Sequence, residues 1–354
     1  MRILITGGAG FIGSSLAFSF KREEPAAEVV AVDNLKRRGA ELNLPRFQRA
    51  GVQFVHGDVR HQSDLEDLPG DFDVFIEASA EASVMAGVTS APNYVLQTNV
   101  VGALNCLEFA RRRAGVLVFL STSRVYSIRP LREIRLAETA SRFEIGVGQS
   151  IAGVSESGIA EEFPTDLPRS LYGATKLCSE LITQEYVESY GLRAIINRCG
   201  VIAGPGQFGR VDQGVFTLWV AHHFYRKPLR YTGFGGRGKQ VRDLLHPLDL
   251  YALLKKQLAN IEECSGAIFN IGGGREISTS LVELTALCQK LTGNEVPVQA
   301  NAQTSTVDVP LYISDNRKAA QQLSWRPERS VKVIMEDTLR WLQRHEAELK
   351  PLFT

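Results

Sequence analysis

The apolar positions along the first 120 residues recur in two spacings that alternate down the chain. Short, β-branched apolar runs predict strands, and apolar residues three and four apart predict amphipathic helices. The predicted strands are residues 2–6, 28–32, 53–56, 73–77 and 115–120, and the predicted helices include residues 11–21 and 92–113. This alternation predicts an α/β fold, a doubly wound parallel sheet of the Rossmann type.

The rest of the chain continues the alternation less regularly. We predict helices at residues 170–190, 215–225, 247–261, 280–291 and 331–349, and strands at residues 193–198, 242–246, 267–272 and near Tyr312. Residues 127–169 are rich in Gly, Ser and Glu and show no clear period. They are too long for an idle connection, so we predict a lid or substrate loop. Residues 199–214 contain five glycines and one proline, which suits a loop folded around a ligand.

Composition is typical of a globular protein and gives no case for a nucleic-acid partner. The 354 residues carry a formal net charge of +1, and 44% are hydrophobic, which suits one large or two intertwined domains. The five cysteines form no CxxC or His-spaced array, so we expect buried thiols in a reducing compartment and no metal site. These cysteines are Cys106, Cys178, Cys199, Cys264 and Cys288.

The N-terminal stretch from Arg2 to Phe20 joins a positive residue to small and apolar ones, as a secretory signal does. Glycines interrupt this stretch at regular intervals, and the strand–helix alternation begins within it. No segment is long and apolar enough to span a bilayer. We therefore expect a cytoplasmic protein with no membrane partner.

The first predicted strand runs into Gly7-Gly8-Ala9-Gly10-Phe11-Ile12-Gly13, a GxxGxxG spacing. The first glycine permits a tight turn, the second lets a phosphate approach the backbone, and the third lets the helix lie close to the strand. The helix N-terminus offers free N–H groups to a pyrophosphate. Asp33 ends the second strand, where a carboxylate would bind the adenosine ribose diol. Asp33 favours NAD over NADP, whereas Lys36, Arg37 and Arg38 favour a 2′-phosphate.

Small or polar residues also follow the later predicted strands. They are Asp58-Val59, Ala78-Ser79-Ala80 and Ser121-Thr122-Ser123. Because parallel strands present their carboxyl ends at one edge of the sheet, these residues together predict a floor for the cofactor.

Tyr172 and Lys176 are four residues apart at the start of a predicted helix, so both side chains point the same way. A phenol holds its proton until about pH 10. A nearby ammonium favours the phenolate and makes the phenol a usable base at lower pH. Such pairs also occur on ordinary helix surfaces, and the preceding glycine turn is what favours catalysis here.

These motifs together resemble those of the extended short-chain dehydrogenase/reductases, and more narrowly the NAD-dependent sugar-nucleotide epimerases and dehydratases. The likeness runs from the glycine turn through Asn99-Val100-Val101-Gly102 to Phe269-Asn270-Ile271-Gly272-Gly273. It implies an NAD-binding Rossmann domain at residues 1–199 plus 238–271. It also implies a smaller, mostly C-terminal α/β domain for a nucleotide sugar at residues 200–237 plus 272–354.

Within this branch the chain is most similar to the CDP-paratose 2-epimerase group, the CDP-tyvelose epimerases. The likeness is carried by residues 33–39, Asn43-Leu44, Gln207-Phe208, Asp212-Gln213-Gly214, residues 238–243 and the long insert before Tyr172. It implies epimerisation by transient oxidation, as in the conversion of CDP-paratose to CDP-tyvelose. It also implies a homodimer or homotetramer paired through the helices that hold Asn99 and Tyr172.

The resemblance implies a role for each matching residue. Tyr172 is the expected base and acid, Lys176 holds the nicotinamide ribose, and Thr122 hydrogen-bonds the reacting hydroxyl. The expected cofactor contacts are Gly7, Gly10, Phe11, Ile12, Asp33, Asn34, Arg38, Asp58, Val59, Ala78, Ser79, Ala80, Asn99, Ser121, Tyr172, Lys176 and Cys199. The expected substrate contacts are Thr122, Ser123, Arg124, Val201, Gln207, Gln213 and Arg242, with Arg242 on the pyrophosphate.

The chain departs from its relatives at two places, and other functions stay open. Residues 305–308 lack the arginine that many relatives carry there, and Ala203 replaces an aromatic residue. Dehydration is disfavoured because Ser123 and Arg124 stand where dehydratases carry Asp-Glu beside the threonine. A 4-epimerase of a UDP- or GDP-sugar shares the whole catalytic set. A protein that binds the dinucleotide without turnover is the remaining alternative.

Overall fold

The computed structural model describes residues 1–88, 90–209 and 213–353. Contacts between these residues divide the chain into two compact units. Unit 1 comprises Met1–Val125, Leu171–Arg198 and Leu250–Phe269, and unit 2 comprises Tyr126–Ser170, Cys199–Asp249 and the chain from Asn270 onward. Each unit is therefore assembled from three separate stretches of the chain.

The nine predicted strands are present in the predicted order, and among the described residues there are also two short hairpins and four further strands that were not predicted. They are β1 (Arg2–Thr6), β2 (Glu28–Asp33), β3 (Gln53–His56), β4 (Phe72–Glu77), β5 (Ala114–Thr122), β6 (Leu136–Glu138), β7 (Phe143–Ile145), β8 (Val154–Ser155), β9 (Gly158–Ile159), β10 (Ala194–Cys199), β11 (Val201–Ile202), β12 (Leu229–Thr232), β13 (Val241–Leu245), β14 (Ile268–Ile271), β15 (Ser278–Ser280), β16 (Val298–Asn301) and β17 (Leu311–Tyr312). The predicted bounds of β1 to β5 agree with the observed ones to within two residues.

The helices alternate with these strands. They are α1 (Phe11–Glu23), α2 (Leu44–Ala50), α3 (Gln62–Glu66), α4 (Asn93–Leu96), α5 (Gly102–Arg113), α6 (Ile128–Glu133), α7 (Leu171–Tyr190), α8 (Val215–Phe224), α9 (Pro247–Ala259), α10 (Ile261–Cys264), α11 (Leu281–Thr292), α12 (Arg317–Leu323), α13 (Val331–Arg344) and α14 (Glu346–Phe353). The sequence pattern did not predict α2, α3, α6 or α12.

In the part of the chain that the structure describes, seven strands form the central sheet in the order β14-β10-β5-β4-β1-β2-β3. β1 is parallel to both β2 and β4. The order reverses at β1, because β2 and β3 lie on one side of it and β4 and β5 on the other. This is the doubly wound arrangement that the sequence predicted, with a topological switch point between β1 and β4. Residues Ile3, Leu4 and Ile5 of β1 are fully buried, as expected of a strand covered on both faces.

The helix predicted at residues 92–113 is present from Asn93 to Arg113, and one of its turns is π-helical, which the apolar spacing did not predict. A π-helical turn at Gln97–Val101 separates α4 from α5. Asn99 lies in this turn, and its amide donates to Thr175 Oγ1 at 3.0 Å and to the Glu81 carbonyl at 3.1 Å. Its Oδ1 accepts from the Glu81 N–H at 2.8 Å. A polar side chain bonded to distant parts of the chain leaves no mark in the spacing of apolar residues.

Unit 2 is organised around β13. This strand is parallel to β11 and β17 and antiparallel to β15. Beside this sheet, β12 pairs with β16 in parallel, and α8 packs against α11 and α13. Unit 2 is thus an α/β unit, as the sequence predicted for the C-terminal part of the chain.

The insert at residues 127–169 contains regular structure that the sequence analysis did not predict. It forms α6 and the hairpins β6–β7 and β8–β9, which pack within unit 2. The Phe143 N–H donates to the Lys239 carbonyl at 2.9 Å, and the Ile159 N–H donates to the Ile313 carbonyl at 2.8 Å. Backbone hydrogen bonds therefore join the insert to the rest of unit 2.

The two units differ in extent from the predicted domains. The prediction assigned residues 126–170, 199, 238–249 and 270–271 to the cofactor domain, whereas their contacts place them in unit 2. Unit 2 is consequently not the smaller part. Among the described residues, no helix is long and apolar enough to cross a membrane.

Candidate active site

The turn between β1 and α1 is packed so tightly that only glycine fits at three of its positions. Gly7 has a φ of +64°, and a Cβ there would lie 2.7 Å from the Ala78 carbonyl oxygen. A Cβ at Gly13 would lie 2.2 Å from the Gly7 carbonyl oxygen. Both geometries agree with the predicted tight turn and close helix packing. Sequence reasoning gave no role to Gly8, where a Cβ would lie 2.7 Å from the Ala31 Cβ on β2.

The same turn fits a phosphate group. A Cβ at Gly10 would meet only the Gly7 carbonyl oxygen, at 3.1 Å, so the outer side of Gly10 is open. Gly10 caps α1, and the first turn of α1 carries no acidic residue. The N–H groups at the start of a helix have no carbonyl partner within it, and Phe11 and Ile12 occupy this position. The predicted pyrophosphate site therefore has the backbone donors that it needs.

Asp33 at the end of β2 is bonded to the glycine turn. Its Oδ2 accepts from the Ala9 N–H at 3.0 Å, and its Oδ1 accepts from the Leu35 N–H at 2.8 Å. Burial raises the pKa of Asp33, and these backbone bonds oppose the rise. The carboxylate is thus held beside the turn, where the predicted ribose contact requires it.

Asp58 and Asn34, both expected at the cofactor, hydrogen-bond to each other through Asn34 Nδ2 at 2.9 Å. Arg60 donates to Asp58 with both Nε and Nη2, at 2.9 and 2.6 Å. Burial acts to raise the pKa of Asp58, but the bonds from Arg60 and Asn34 prevail and lower it. The Arg60 guanidinium also lies 5.1 Å from the Tyr94 ring centre, and the Lys36 ammonium lies 5.2 Å from that ring.

Other predicted cofactor residues of unit 1 differ in exposure. The Val59 side chain belongs to the apolar core, and Asn99 is engaged by Glu81 and Thr175 as described above. Arg38 and Ala80 are exposed. Cofactor contacts by these residues stay predictions.

Tyr172 and Lys176 lie one turn apart on α7, and both are buried, with 8% and 2% of their surface exposed. The Lys176 ammonium lies 3.4 Å from Glu77 Oε2 and 4.0 Å from the Phe119 ring centre. Among the described residues, Glu77 is the one hydrogen-bond acceptor of this ammonium, which has three N–H donors. The remaining capacity suits the hydroxyls of a ribose. Sequence reasoning missed Glu77, although an acidic residue ending an apolar strand was a visible signal.

The end of β5 contributes the remaining predicted residues of unit 1. Thr122 is buried, and its Oγ1 accepts from the Arg124 N–H at 3.2 Å. Ser121 donates to Glu180, and Glu180 is paired with Arg198 at 2.8 Å. Ser121 is therefore tied to a buried ion pair that joins α7 to β10. Ser123 and Arg124 are half-buried.

The remaining substrate contacts that the resemblance implies lie in unit 2. Arg242 on β13 donates to Asp308 Oδ1 and to the Val309 carbonyl, both at 2.8 Å. Arg132 on α6 donates to the carbonyls of Ser305 and Asp308 at 2.8 Å, in the segment that lacks the expected arginine. Asp308 and Arg132 were not among the predicted site residues, because both lie far from Arg242 in sequence.

The loop after β10 holds the other predicted contacts. Gln207 donates to the Ile202 carbonyl at 3.0 Å and accepts from Thr217 Oγ1 at 2.6 Å. Cys199 is buried, whereas Val201 and Gln213 are half-buried. Asp212, part of the same motif, lies outside the described residues.

Comparisons with known proteins agree with this geometry. Residues 3–272 match the model of the NAD dependent epimerase/dehydratase family. CDP-paratose 2-epimerase of Salmonella typhi is 30% identical over 353 residues, which cover 96% of this chain and 99% of that protein. UDP-glucose 4-epimerase of Corynebacterium glutamicum is 29% identical, with 95% and 94% covered.

Among solved structures, a double mutant of dTDP-glucose 4,6-dehydratase from Streptomyces venezuelae, with NAD bound, matches with a TM-score of 0.78 at 28% identity. The match covers 99% of this chain and 100% of that one. Both the predicted family and the predicted NAD cofactor are confirmed: the chain belongs to the NAD dependent epimerase/dehydratase family.

Proposed function

We propose that this chain is an NAD-dependent epimerase of a nucleotide sugar that inverts a carbon by transient oxidation. The observation that carries the proposal is the buried Tyr172 and Lys176 pair, in the unit that also holds the glycine turn. The favoured reaction is 2-epimerisation of a CDP-linked dideoxyhexose, such as CDP-paratose to CDP-tyvelose. Its support is the set of motifs shared with that group and the 30% identity over nearly the whole chain.

The chemistry explains why a redox cofactor is needed. A hydrogen bound to C2 of a sugar is not acidic, so proton abstraction alone does not invert that carbon. NAD supplies a hydride acceptor and donor when it is bound. Tyr172 takes the proton of the sugar hydroxyl and later returns it, while Thr122 hydrogen-bonds the same oxygen. Lys176 contacts the nicotinamide ribose and favours the phenolate of Tyr172.

A direct product assay tests the proposal. We expect the purified protein, incubated with CDP-paratose, to invert C2, as shown by nuclear magnetic resonance of the product. In deuterated water the inverted carbon carries no solvent deuterium, because the hydride is retained on the cofactor.

The assay has two contrary outcomes. Inversion at C4 of a UDP- or GDP-sugar, with CDP-paratose left unchanged, would favour the 4-epimerase, to which the 29% identity with a UDP-glucose 4-epimerase already gives some support. A protein that binds NAD but converts none of these sugars would be a dinucleotide-binding protein without turnover.

Replacing Tyr172 tests the acid–base role. We expect Tyr172→Phe to lower kcat by about 10²- to 10⁴-fold, because proton transfer at the hydroxyl is lost. NAD affinity, followed by quenching of protein fluorescence, and thermal stability should stay close to those of the unchanged protein. The matched control is Tyr190→Phe, because Tyr190 lies on the same helix and is 60% exposed. Turnover near normal in Tyr172→Phe would contradict the role.

We also propose that Arg242 binds the substrate pyrophosphate. Its guanidinium is held by the Asp308 carboxylate and the Val309 carbonyl, which fix its orientation. We expect Arg242→Gln to raise KM for the nucleotide sugar roughly 10- to 100-fold through loss of a charged hydrogen bond, with a smaller change in kcat. Arg230→Gln is the control, because Arg230 is exposed and bonds Gln299. An unchanged KM in Arg242→Gln would remove Arg242 from the site.

We further propose a homodimer or homotetramer that pairs through α4, α5 and α7. Leu96 on α4 and Leu181 on α7 are 39% and 57% exposed, so these two helices present apolar side chains that a second copy of the chain could cover. We expect Leu181→Asp to shift the mass measured by light scattering toward the monomer. Val147→Asp, in the insert of unit 2, should leave the mass unchanged, although Val147 is 81% exposed. A monomeric unchanged protein would exclude the proposal.

A further inference from the structure

A buried carboxylate faces the catalytic lysine. Glu77 ends β4, and its Oε2 lies 3.4 Å from the Lys176 ammonium, with each side chain 3% exposed. The Ser79 hydroxyl donates to Glu77 Oε1, so it orients the carboxylate with its other oxygen toward the lysine. The Phe119 ring closes another side of the ammonium at 4.0 Å.

This pairing changes the charge that acts on Tyr172. An ammonium alone favours the phenolate, whereas a carboxylate beside it opposes that effect. In a buried site such effects are large, because little water screens them. A phenol near both charges responds to their difference, and not to the ammonium alone.

Among the described residues, Glu77 is the carboxylate that pairs with the Lys176 ammonium. The ionisable groups described next are neutral or paired elsewhere. From α5, Cys106 faces Glu77 and Lys176, and burial, reinforced by the Glu77 charge, raises the pKa of its thiol, which stays neutral. From α7, Glu180 is paired with Arg198 and accepts from Ser121 on β5. Two residues after the end of β4, Ser79 contributes a neutral hydroxyl.

We propose that Glu77 is a positioning residue that holds the Lys176 ammonium and partly balances its charge, so that Tyr172 keeps its proton to a higher pH than Lys176 alone would allow. The inference rests on the proposed roles of Tyr172 and Lys176. A reversible oxidation needs a phenol that both takes and returns a proton. Such a group works best when its pKa lies near the working pH.

The test is an ultraviolet titration of tyrosinate in the protein saturated with NAD⁺. The Tyr172 signal is the difference between each protein and the same protein with Tyr172→Phe. We expect Glu77→Gln, which keeps the shape but removes the charge, to lower the Tyr172 midpoint by about one to three pH units. Glu77→Asp keeps the charge and should titrate close to the unchanged protein. The acid limb of kcat/KM should move in the same direction.

Four other tyrosines titrate above the usual range of a phenol, and subtraction of the Tyr172→Phe curve removes the signal of the rest. Burial raises the pKa of Tyr186 and of Tyr251 to about 12, and burial also raises the pKa values of Tyr225 and Tyr231. The matched control is Glu108→Gln on α5, which removes an anion that pairs with Arg111 and accepts from Tyr186. It should leave the Tyr172 midpoint unchanged.

A Tyr172 midpoint that is unchanged or higher in Glu77→Gln overturns the inference. If Glu77→Gln does not fold, Lys176→Met and the neutral pair Glu77→Gln/Lys176→Met make the same comparison. The midpoint of the neutral pair should then lie below that of Lys176→Met, and equal midpoints overturn the inference. If Tyr172→Phe is inactive while Glu77→Gln leaves the titration unmoved, only this inference fails. If Tyr172→Phe keeps its turnover, the proposed function fails instead.

Discussion

The contact between the glycine turn and the end of β4 is the constraint on which the rest of unit 1 depends. The Gly7 carbonyl oxygen lies where a Cβ of residue 13 would be, and the Gly7 Cα faces Ala78. A side chain at either glycine would separate β1 from α1 or from β4, because a close-packed interior has no room to absorb it. Ala78 adjoins Glu77, which contacts Lys176. The proposed cofactor turn and the proposed catalytic lysine are therefore both contacted by one short segment.

The fold of unit 1 could be predicted because most of its strands are buried on both faces, and because apolar residues recur at helical spacing between them. Such elements carry their periodicity in the sequence, and β1 to β5, α1 and α7 were predicted nearly to the residue. The insert at residues 127–169 could not be predicted in this way. Its strands are two or three residues long and are stabilised by backbone bonds to distant residues such as Lys239 and Ile313.

The candidate site residues also differ in whether a local sequence pattern could identify them. The glycine turn, Asp33 and the Tyr172–Lys176 pair have fixed spacings within short segments, so the sequence alone identified them as candidates. Glu77 pairs with a residue 99 positions later in the sequence, and Asp308 pairs with a residue 66 positions earlier. No local sequence pattern predicts such a pairing. Arg60 is a different case. It lies two residues after Asp58, so the sequence alone could have indicated that this arginine pairs with the predicted cofactor carboxylate.

Two buried ion pairs in unit 1 differ in geometry, and each geometry suits a different role. Burying such a pair costs desolvation, and apolar replacements are often as stable, so stability alone does not account for either one. The Arg198 guanidinium donates from Nε to Glu180 Oε1 at 3.2 Å and from Nη2 to Glu180 Oε2 at 2.8 Å, a forked geometry that fixes α7 against β10.

The Lys176 ammonium instead meets Glu77 at one longer distance and, within the described residues, bonds no other acceptor. A forked pair holds two elements rigidly, because a planar guanidinium matches a carboxylate in one orientation. A point charge on a flexible stem keeps donors for a second ligand. The geometry of the second pair thus suits the proposed role of Lys176, which is to bind a ribose and adjust a phenol, and in that proposal Glu77 limits the adjustment.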